Sequence, residues 1–347
     1  MSERADIASL TGEELTQVVL AMGQPSYRAR QLADWLGKGI WDLQAMTNLP
    51  ASFLKMLEEQ TYLPRPVIER KLVSTDGTVK YLFRFADGEL VETVLMNYRH
   101  GTSVCLSTQA GCRQGCAFCA STLGGLNRNL TASEILAQFF TAQRDSQCKI
   151  SNIVLMGTGE PLDNFDHTVR FLQLVNAPQG PNIGMRHISL STCGLVPQIR
   201  QLGEMGFPLT LSVSLHATTD ELRDRLMPVN RKYPLPMLMQ TCKEYFAKTG
   251  RRISIEYVMI KDMNVSKQDA NRLLSLTEGF LSHINLIPVN YVEERGFHPP
   301  SEGEIKEFCE LLRRKGAEVT VRRKLGNDIN ASCGQLRHSC QKEQKKG

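Results

Sequence analysis

Three cysteines, Cys112, Cys116 and Cys119, sit in the stretch CRQGCAFC, directly after a short apolar run. Their spacing narrows the chemistry open to them. A disulfide between neighbours this close would strain a turn, and it would leave the third thiol over. A structural zinc site takes four ligands, usually as two separated pairs, and no second CxxC or HxxxH follows at finger-like distance. Three thiolates from one loop suit an iron–sulfur cluster, normally held by four cysteines, if one iron is left for an exogenous ligand. The missing ligand is then a substrate or a cofactor.

Such a loop needs a rigid rim. Beyond Thr102, strand-like runs at Ser103 to Thr108, Asn152 to Met156, His187 to Ser191, Thr210 to Leu215, Ile253 to Met259 and Ile284 to Val289 alternate with helical ones. The helices begin near Thr131, Phe165, Leu195, Pro234, Ser266 and Ser301, and Glu318 to Arg322 can add a last strand. This alternation predicts an α/β fold with parallel strands, either an open doubly wound sheet or an incomplete barrel, with chemistry at the C-terminal strand ends. Polar clusters fall at those ends: the cysteines after the first strand, Gly157-Thr-Gly-Glu-Pro161 after the second, Ser191-Thr-Cys-Gly194 after the third, Ser214-Leu-His216 after the fourth and Asn290 after the sixth. One such loop is weak evidence, because turns favour Gly and Ser anyway. Five on one rim mark a site.

Upstream, residues 1–63 read as three short helices, with a capping box at Thr11-Gly-Glu-Glu14, a second start at Pro25-Ser and a third at Pro50. From Val67 the period changes to two, and Asp76-Gly77 and Asp87-Gly88 separate strands, giving a small meander over 64–98. A core over 99–325 and a C-terminal segment over 326–347 complete the expected organisation.

The 347 residues are 41% hydrophobic and 22% charged, a globular composition. The charged opening Met1-Ser-Glu-Arg has no signal-peptide form, and no apolar run nears the roughly 18 residues of a membrane span. The expectation is a monomeric cytoplasmic protein with no membrane association, whose ten cysteines stay reduced. Net charge is +5, but residues 313–347 carry ten Lys/Arg against three Asp/Glu, a net of +7. That basic segment suits phosphate contact as well as it suits a solvated helix face.

CxxxCxxC followed by GEP resembles the radical S-adenosylmethionine (SAM) superfamily. Glu92 in Val91-Glu-Thr93, Cys105, Ala120-Ser-Thr-Leu-Gly-Gly125, Leu226-Met-Pro-Val-Asn230 and Asp328-Ile-Asn-Ala-Ser-Cys333-Gly-Gln-Leu narrow it to the RlmN/Cfr family of RNA adenine methyltransferases. The resemblance spans nearly the whole chain. It implies an incomplete (β/α)6 radical SAM barrel with the helical N-terminal module as an RNA-binding accessory. It also implies a 4Fe-4S cluster on Cys112, Cys116 and Cys119, with SAM on the fourth iron and on Gly159, Glu160, Ser191, Ser214, Leu215, His216 and Asn290. Thr158 departs from the common GMGEP form but leaves Gly159 and Glu160 in place. Adenine C2 lies between two ring nitrogens and is electron-poor, so an electrophilic methyl cannot be passed to it directly. In the family Cys333 takes the methyl from one SAM, loses a hydrogen from it at the expense of a second SAM, and adds the carbon to C2. Cys105 then attacks the Cys333 sulfur and Glu92 handles the proton. The implied partners are 23S rRNA, tRNA beside the anticodon, and an electron donor such as flavodoxin or ferredoxin.

Pattern alone gives blander expectations. Cys105, between Val104 and Leu106, reads as a buried inert thiol, and Glu92 as a solvent-face strand residue. Cys148, Cys193, Cys242, Cys309 and Cys340 read as packing or surface residues. Two rival functions remain at this point: methylation of adenine C8 by the same cysteines, and a metal-stabilised RNA-binding protein without turnover.

Overall fold

Thr11 opens the first helix as its sequence predicts in the computed structural model, which describes residues 4–99, 101–323 and 325–329. Its hydroxyl accepts the Glu14 amide while the Glu14 carboxylate accepts the Thr11 amide at 2.8 Å, and α1 (Gly12–Ala21) runs from there. α2 (Tyr27–Gly37) and α3 (Ala51–Gln60) follow. A short parallel pair, β1 (Ala5–Asp6) with β2 (Thr61–Tyr62), joins the two ends of this module.

The meander is β3 (Val67–Val73), β4 (Val79–Arg84) and β5 (Leu90–Tyr98), antiparallel throughout. Gly77 and Gly88 turn it at φ of 82° and 86°, which is why Asp-Gly marks both corners. β5 then pairs antiparallel with β6 (Gly101–Cys105), so the meander runs on into the main sheet. Next comes a small hairpin, β7 (Gln109–Gly111) and β8 (Leu126–Asn129), which brackets the three-cysteine loop.

From β6 onward the strands are parallel: β9 (Ile150–Leu155), β10 (Ile188–Thr192), β11 (Thr210–Ser214), β12 (Ile253–Met259), β13 (Ser282–Pro288) and β14 (Val319–Val321). Their spatial order is their chain order, within one ten-stranded sheet. A doubly wound sheet would reverse direction partway. Without a reversal, right-handed crossovers put every helix on one side and leave the other face as a lumen, which selects the incomplete barrel. The crossovers carry α4 (Ala132–Ser146), α5 (Phe165–Asn176), α6 (Val196–Glu204), α7 (Asp220–Leu226), α8 (Leu235–Thr249), α9 (Lys267–Leu276) and α10 (Glu302–Arg314). The sequence pattern missed α7, because its seven residues, DELRDRL, are too few and too polar to show a helical period.

The N-terminal module is packed onto the barrel rather than tethered to it. Ile7, Leu15, Leu32 and Phe53 belong to the same buried cluster as Phe139 of α4 and Phe171 of α5. Arg170 donates to both Glu14 oxygens at 2.8 Å, and Trp41 meets Phe140 edge-on at 5.7 Å.

Paired residues on neighbouring strands point to the same face, so the register lists the lumen wall. Val94, Cys105, Val154, Ser189 and Thr210 form one row. Ser214, Glu256, Asn285 and Thr320 form another. These rows border a lumen cavity of about 710 Å³ lined by Met96, Val154, Met156, Ser189, Glu256, Asn285 and Thr320 among others.

Candidate active site

The rim loops that the sequence singles out converge. A cavity of about 240 Å³ at the C-terminal strand ends is lined by Cys112, Cys116, Cys119, Gly159, Glu160, Ser191, Ser214, His216 and Asn290. Leu215 is the exception: its side chain is fully buried in the main core, and its carbonyl accepts Arg223 Nε at 3.1 Å. Met156, Glu256 and Arg322 line both this cavity and the lumen, so the two spaces share a wall.

The cysteine loop is braced from three directions. Thr122 Oγ1 donates to the carbonyls of Cys116 and Cys119, Arg295 Nη2 donates to the Cys119 carbonyl at 3.2 Å, and the Ala117 amide donates to the Leu226 carbonyl at 2.8 Å. The last contact gives the LMPVN stretch its purpose at the site. Burial pushes the Cys112 thiol up to about 12 and raises Cys116 well above its ordinary value, and charge on Cys119 raises both further. Cys112 and Cys116, both held protonated by their surroundings, need a bound cation to become thiolates. Among the described residues no His, Cys, Asp or Glu group closes tightly enough around one point for a single ion. All three cysteines line the one cavity, which has room for a larger group. That set fits a multi-iron cluster with one iron open.

Glu160 braces the second and third loops. Its carboxylate accepts the amides of Leu162 at 3.0 Å and Cys193 at 2.7 Å, and its own amide donates to Gln109 Oε1 at 2.8 Å. Burial raises its pKa despite these donors. Cys193 is buried in a small apolar cluster, as a packing residue would be, and it also lines the cavity. Gly159 sits at φ +110°, and a Cβ there would come within 2.7 Å of Gln109 Cβ and 2.8 Å of Gln109 N. Gly159→Ala is therefore expected to strain the loop by about 1–3 kcal/mol and to weaken SAM binding about tenfold, as read by titration calorimetry on cluster-loaded protein. Thr158 is buried with its hydroxyl lacking a partner among the described residues, yet its carbonyl holds the amides of Thr108 and Gln109, so the loop keeps its shape.

His216 is a neutral wall residue. Burial pushes its pKa down to about 3, and Nδ1 accepts the Val258 amide at 3.0 Å. Unfolded chains protonate this imidazole below about 6.5 while the folded chain does not, so its contribution to stability is lost as pH falls from there toward 3. The gap between the urea midpoints of the native protein and His216→Gln is expected to narrow as pH falls through that window.

Cys105 and Glu92 do not line the cavity of the cysteines. They share the lumen face beside it: Cys105 lies directly opposite Val94, and Glu92 is two residues along the same strand, a diagonal neighbour. Cys105 packs with Val94, Met96, Val154 and Met156, and Met156 reaches the cysteine cavity. Glu92 corrects the solvent-face expectation, at 3% exposure, with Lys80 Nζ 3.0 Å from its Oε2. Both faces of β5 are covered, one by the lumen wall and one by α4, where Gln138 accepts the Thr93 hydroxyl at 2.9 Å. Lys80 itself is 0% exposed, and nothing in its sequence context flags it. Cys333 and Cys340 lie outside the described residues. Cys242 and Cys309 are buried in the core, as expected, and Cys148 is half-buried.

Residues 5–63 match the family model for the ribosomal RNA large subunit methyltransferase N-terminal domain, and residues 106–274 match the radical SAM superfamily. The probable dual-specificity RNA methyltransferase RlmN of Alkaliphilus metalliredigens is 48% identical, with 99% of this chain and 98% of the relative covered. The chain belongs to the RlmN family. A protein of the same description from Clostridium tetani is 45% identical, with 97% of each chain covered. The crystal structure of a radical SAM methyltransferase from Sphaerobacter thermophilus superposes with a TM-score of 0.91 at 42% identity over 95% of this chain and 98% of that one. Membership in the RlmN family carries the radical SAM fold and its two cofactors, a 4Fe-4S cluster and SAM.

One further residue of the site escaped the sequence. Arg223 is fully buried beneath the rim and donates to the carbonyls of Leu215, Ser214 and Cys193 and to Asn230 Oδ1, at 2.7 to 3.1 Å. It ties the third and fourth strand ends to the LMPVN stretch. Asn230, which the sequence quotes only as part of a motif, is the side chain that holds it.

Proposed function

We propose that this protein methylates C2 of adenine in RNA, with 23S rRNA and tRNA as substrates. The observation that carries the reading is the pair Cys105 and Glu92 on one lumen face, with Met156 joining Cys105 to the cavity of the three cysteines. A non-catalytic RNA-binding protein has no use for that pair. In this reading Cys112, Cys116 and Cys119 hold the cluster, which supplies the electron that cleaves SAM. Gly159, Glu160, Ser191, Ser214, His216 and Asn290 orient SAM, and Leu215 only steadies the loop, its carbonyl held by Arg223 and its amide by the Glu256 carbonyl. Cys333 carries the carbon to adenine, Cys105 releases it, and Glu92, beside Lys80, accepts a proton.

Residues 1–63 and the basic C-terminal stretch contact RNA phosphates, which predicts affinity that falls steeply with salt. A target base must leave its stack to enter the lumen. The protein works in the cytoplasm as a monomer, with flavodoxin or ferredoxin as electron source. No helix among the described residues is long and apolar enough to cross a membrane. Mass spectrometry of rRNA and tRNA from cells with and without the gene tests the reading. Loss of 2-methyladenine from both RNAs is expected; loss of 8-methyladenine instead would overturn the carbon assignment, and loss from rRNA alone the dual one.

A further inference from the structure

The turn between β3 and β4 grips a segment 250 residues away in sequence. Asp328 Oδ1 accepts the Ser74 hydroxyl at 2.5 Å and its Oδ2 accepts the Thr75 amide at 3.0 Å. In return Asp76 Oδ2 accepts the Gly326 amide at 2.8 Å, while its Oδ1 holds the Thr78 amide at 2.9 Å within the turn. Between these anchors and β14, Leu325 packs on the cluster of Val94, Met96 and Cys105. Two carboxylates thus point in opposite directions across one junction, and each satisfies backbone or hydroxyl donors on the other side. The Gly326 amide holds Asp76 down at about 2, so this carboxylate is ionised wherever the protein works.

We propose that Asp76 and Asp328 form a reciprocal clamp that anchors the chain five residues before Cys333 and so shortens the tether on which that cysteine works. The inference rests on the reading of Cys333 and Cys105 as the working thiols. Cys333 is five residues beyond Asp328 and twelve beyond Val321. Fully extended chain spans at most about 3.5 Å per residue, so the clamp confines Cys333 to within roughly 18 Å of Asp328 instead of about 40 Å from the end of β14. Local concentration of a tethered group falls roughly as the three-halves power of tether length, so losing the clamp lowers productive encounters at least about fourfold. The two aspartates are positioning residues: neither lines the cysteine cavity, and SAM cleavage does not need them.

The hydrogen-bond pattern separates the variants. Asp328→Ala removes both acceptors. Asp328→Asn keeps an oxygen for the Thr75 amide and offers its NH₂ to the Ser74 hydroxyl, which can accept. Asp76→Asn turns an NH₂ toward either the Gly326 or the Thr78 amide, donor against donor. The test uses full-length, cluster-loaded protein with RNA substrate, SAM and reductant, and reads deoxyadenosine released per adenine methylated. Asp328→Ala and Asp76→Asn are expected to raise that ratio at least about fourfold with native cluster content and native thermal unfolding, and Asp328→Asn to stay near the native ratio. Native coupling in both Asp328→Ala and Asp76→Asn, or equal loss in Asp328→Asn and Asp328→Ala, overturns the clamp. A parallel Cys333→Ala reaction keeps the two ideas apart: methylation that survives there overturns the underlying reading, whereas inactivity there with native coupling in the aspartate variants overturns the clamp alone.

Discussion

Cys105→Ala is expected to stop the release of methylated RNA while cluster binding, SAM cleavage and methylation of Cys333 continue. If Cys333 delivers the carbon, the first product is a thioether joining protein to RNA. Release requires a second thiolate to attack the Cys333 sulfur, forming a sulfur–sulfur bond as the sulfur–carbon bond breaks, with a proton ending on the departing methyl carbon. Cys105 is the thiol on the lumen wall, and Glu92 is the carboxylate on the same face, one diagonal step away. The variant should therefore accumulate protein covalently attached to RNA, visible as a shifted band that survives denaturant. Cys333→Ala should form no such band. Free methylated RNA at the native rate from Cys105→Ala would contradict the two-thiol route.

Arg223→Met is expected to give the largest loss of stability among single changes at the site. It strips one buried guanidinium from the carbonyls of Cys193, Ser214 and Leu215 and from Asn230 Oδ1, leaving four acceptors to find new donors in a dry interior. Unmet buried polar groups cost about 1–3 kcal/mol each, with partial relaxation, so a net of about 3–5 kcal/mol is expected in the urea midpoint. Arg223→Lys recovers little, because an ammonium cannot reproduce the planar fork. Because the same bonds set the rim, SAM affinity should fall about tenfold even in the fraction that stays folded. A native urea midpoint in Arg223→Met would show that the rim is held by other means.

What was legible in the sequence was local. Capping boxes, Asp-Gly corners and the change of period from two to a helix–strand alternation gave the element order, and thiol spacing gave the metal chemistry. What was not legible depends on distant partners. Glu92 sits in a run, LVETVLM, that is buried on both faces, yet alternation is informative only where one face meets water. Arg223 sits in DELRDRL, which is too short and too polar to show a helical period, and only the acceptors brought around it by three other segments explain its burial. Lys80, between Val79 and Tyr81, was equally silent until β5 placed Glu92 beside it. The topology also decided between an open sheet and a barrel, which periodicity alone could not, since both present the same alternation.

The most direct measurement follows the carbon itself. Reconstituted protein is given RNA substrate, reductant and SAM whose methyl carries three deuterium atoms, and the methylated adenine is isolated and weighed by mass spectrometry. A carbon that loses one hydrogen while on the sulfur of Cys333 arrives at adenine C2 with two deuterium atoms. Two deuterium atoms in 2-methyladenine is the result predicted here; three, the mark of a methyl passed on intact, would contradict it.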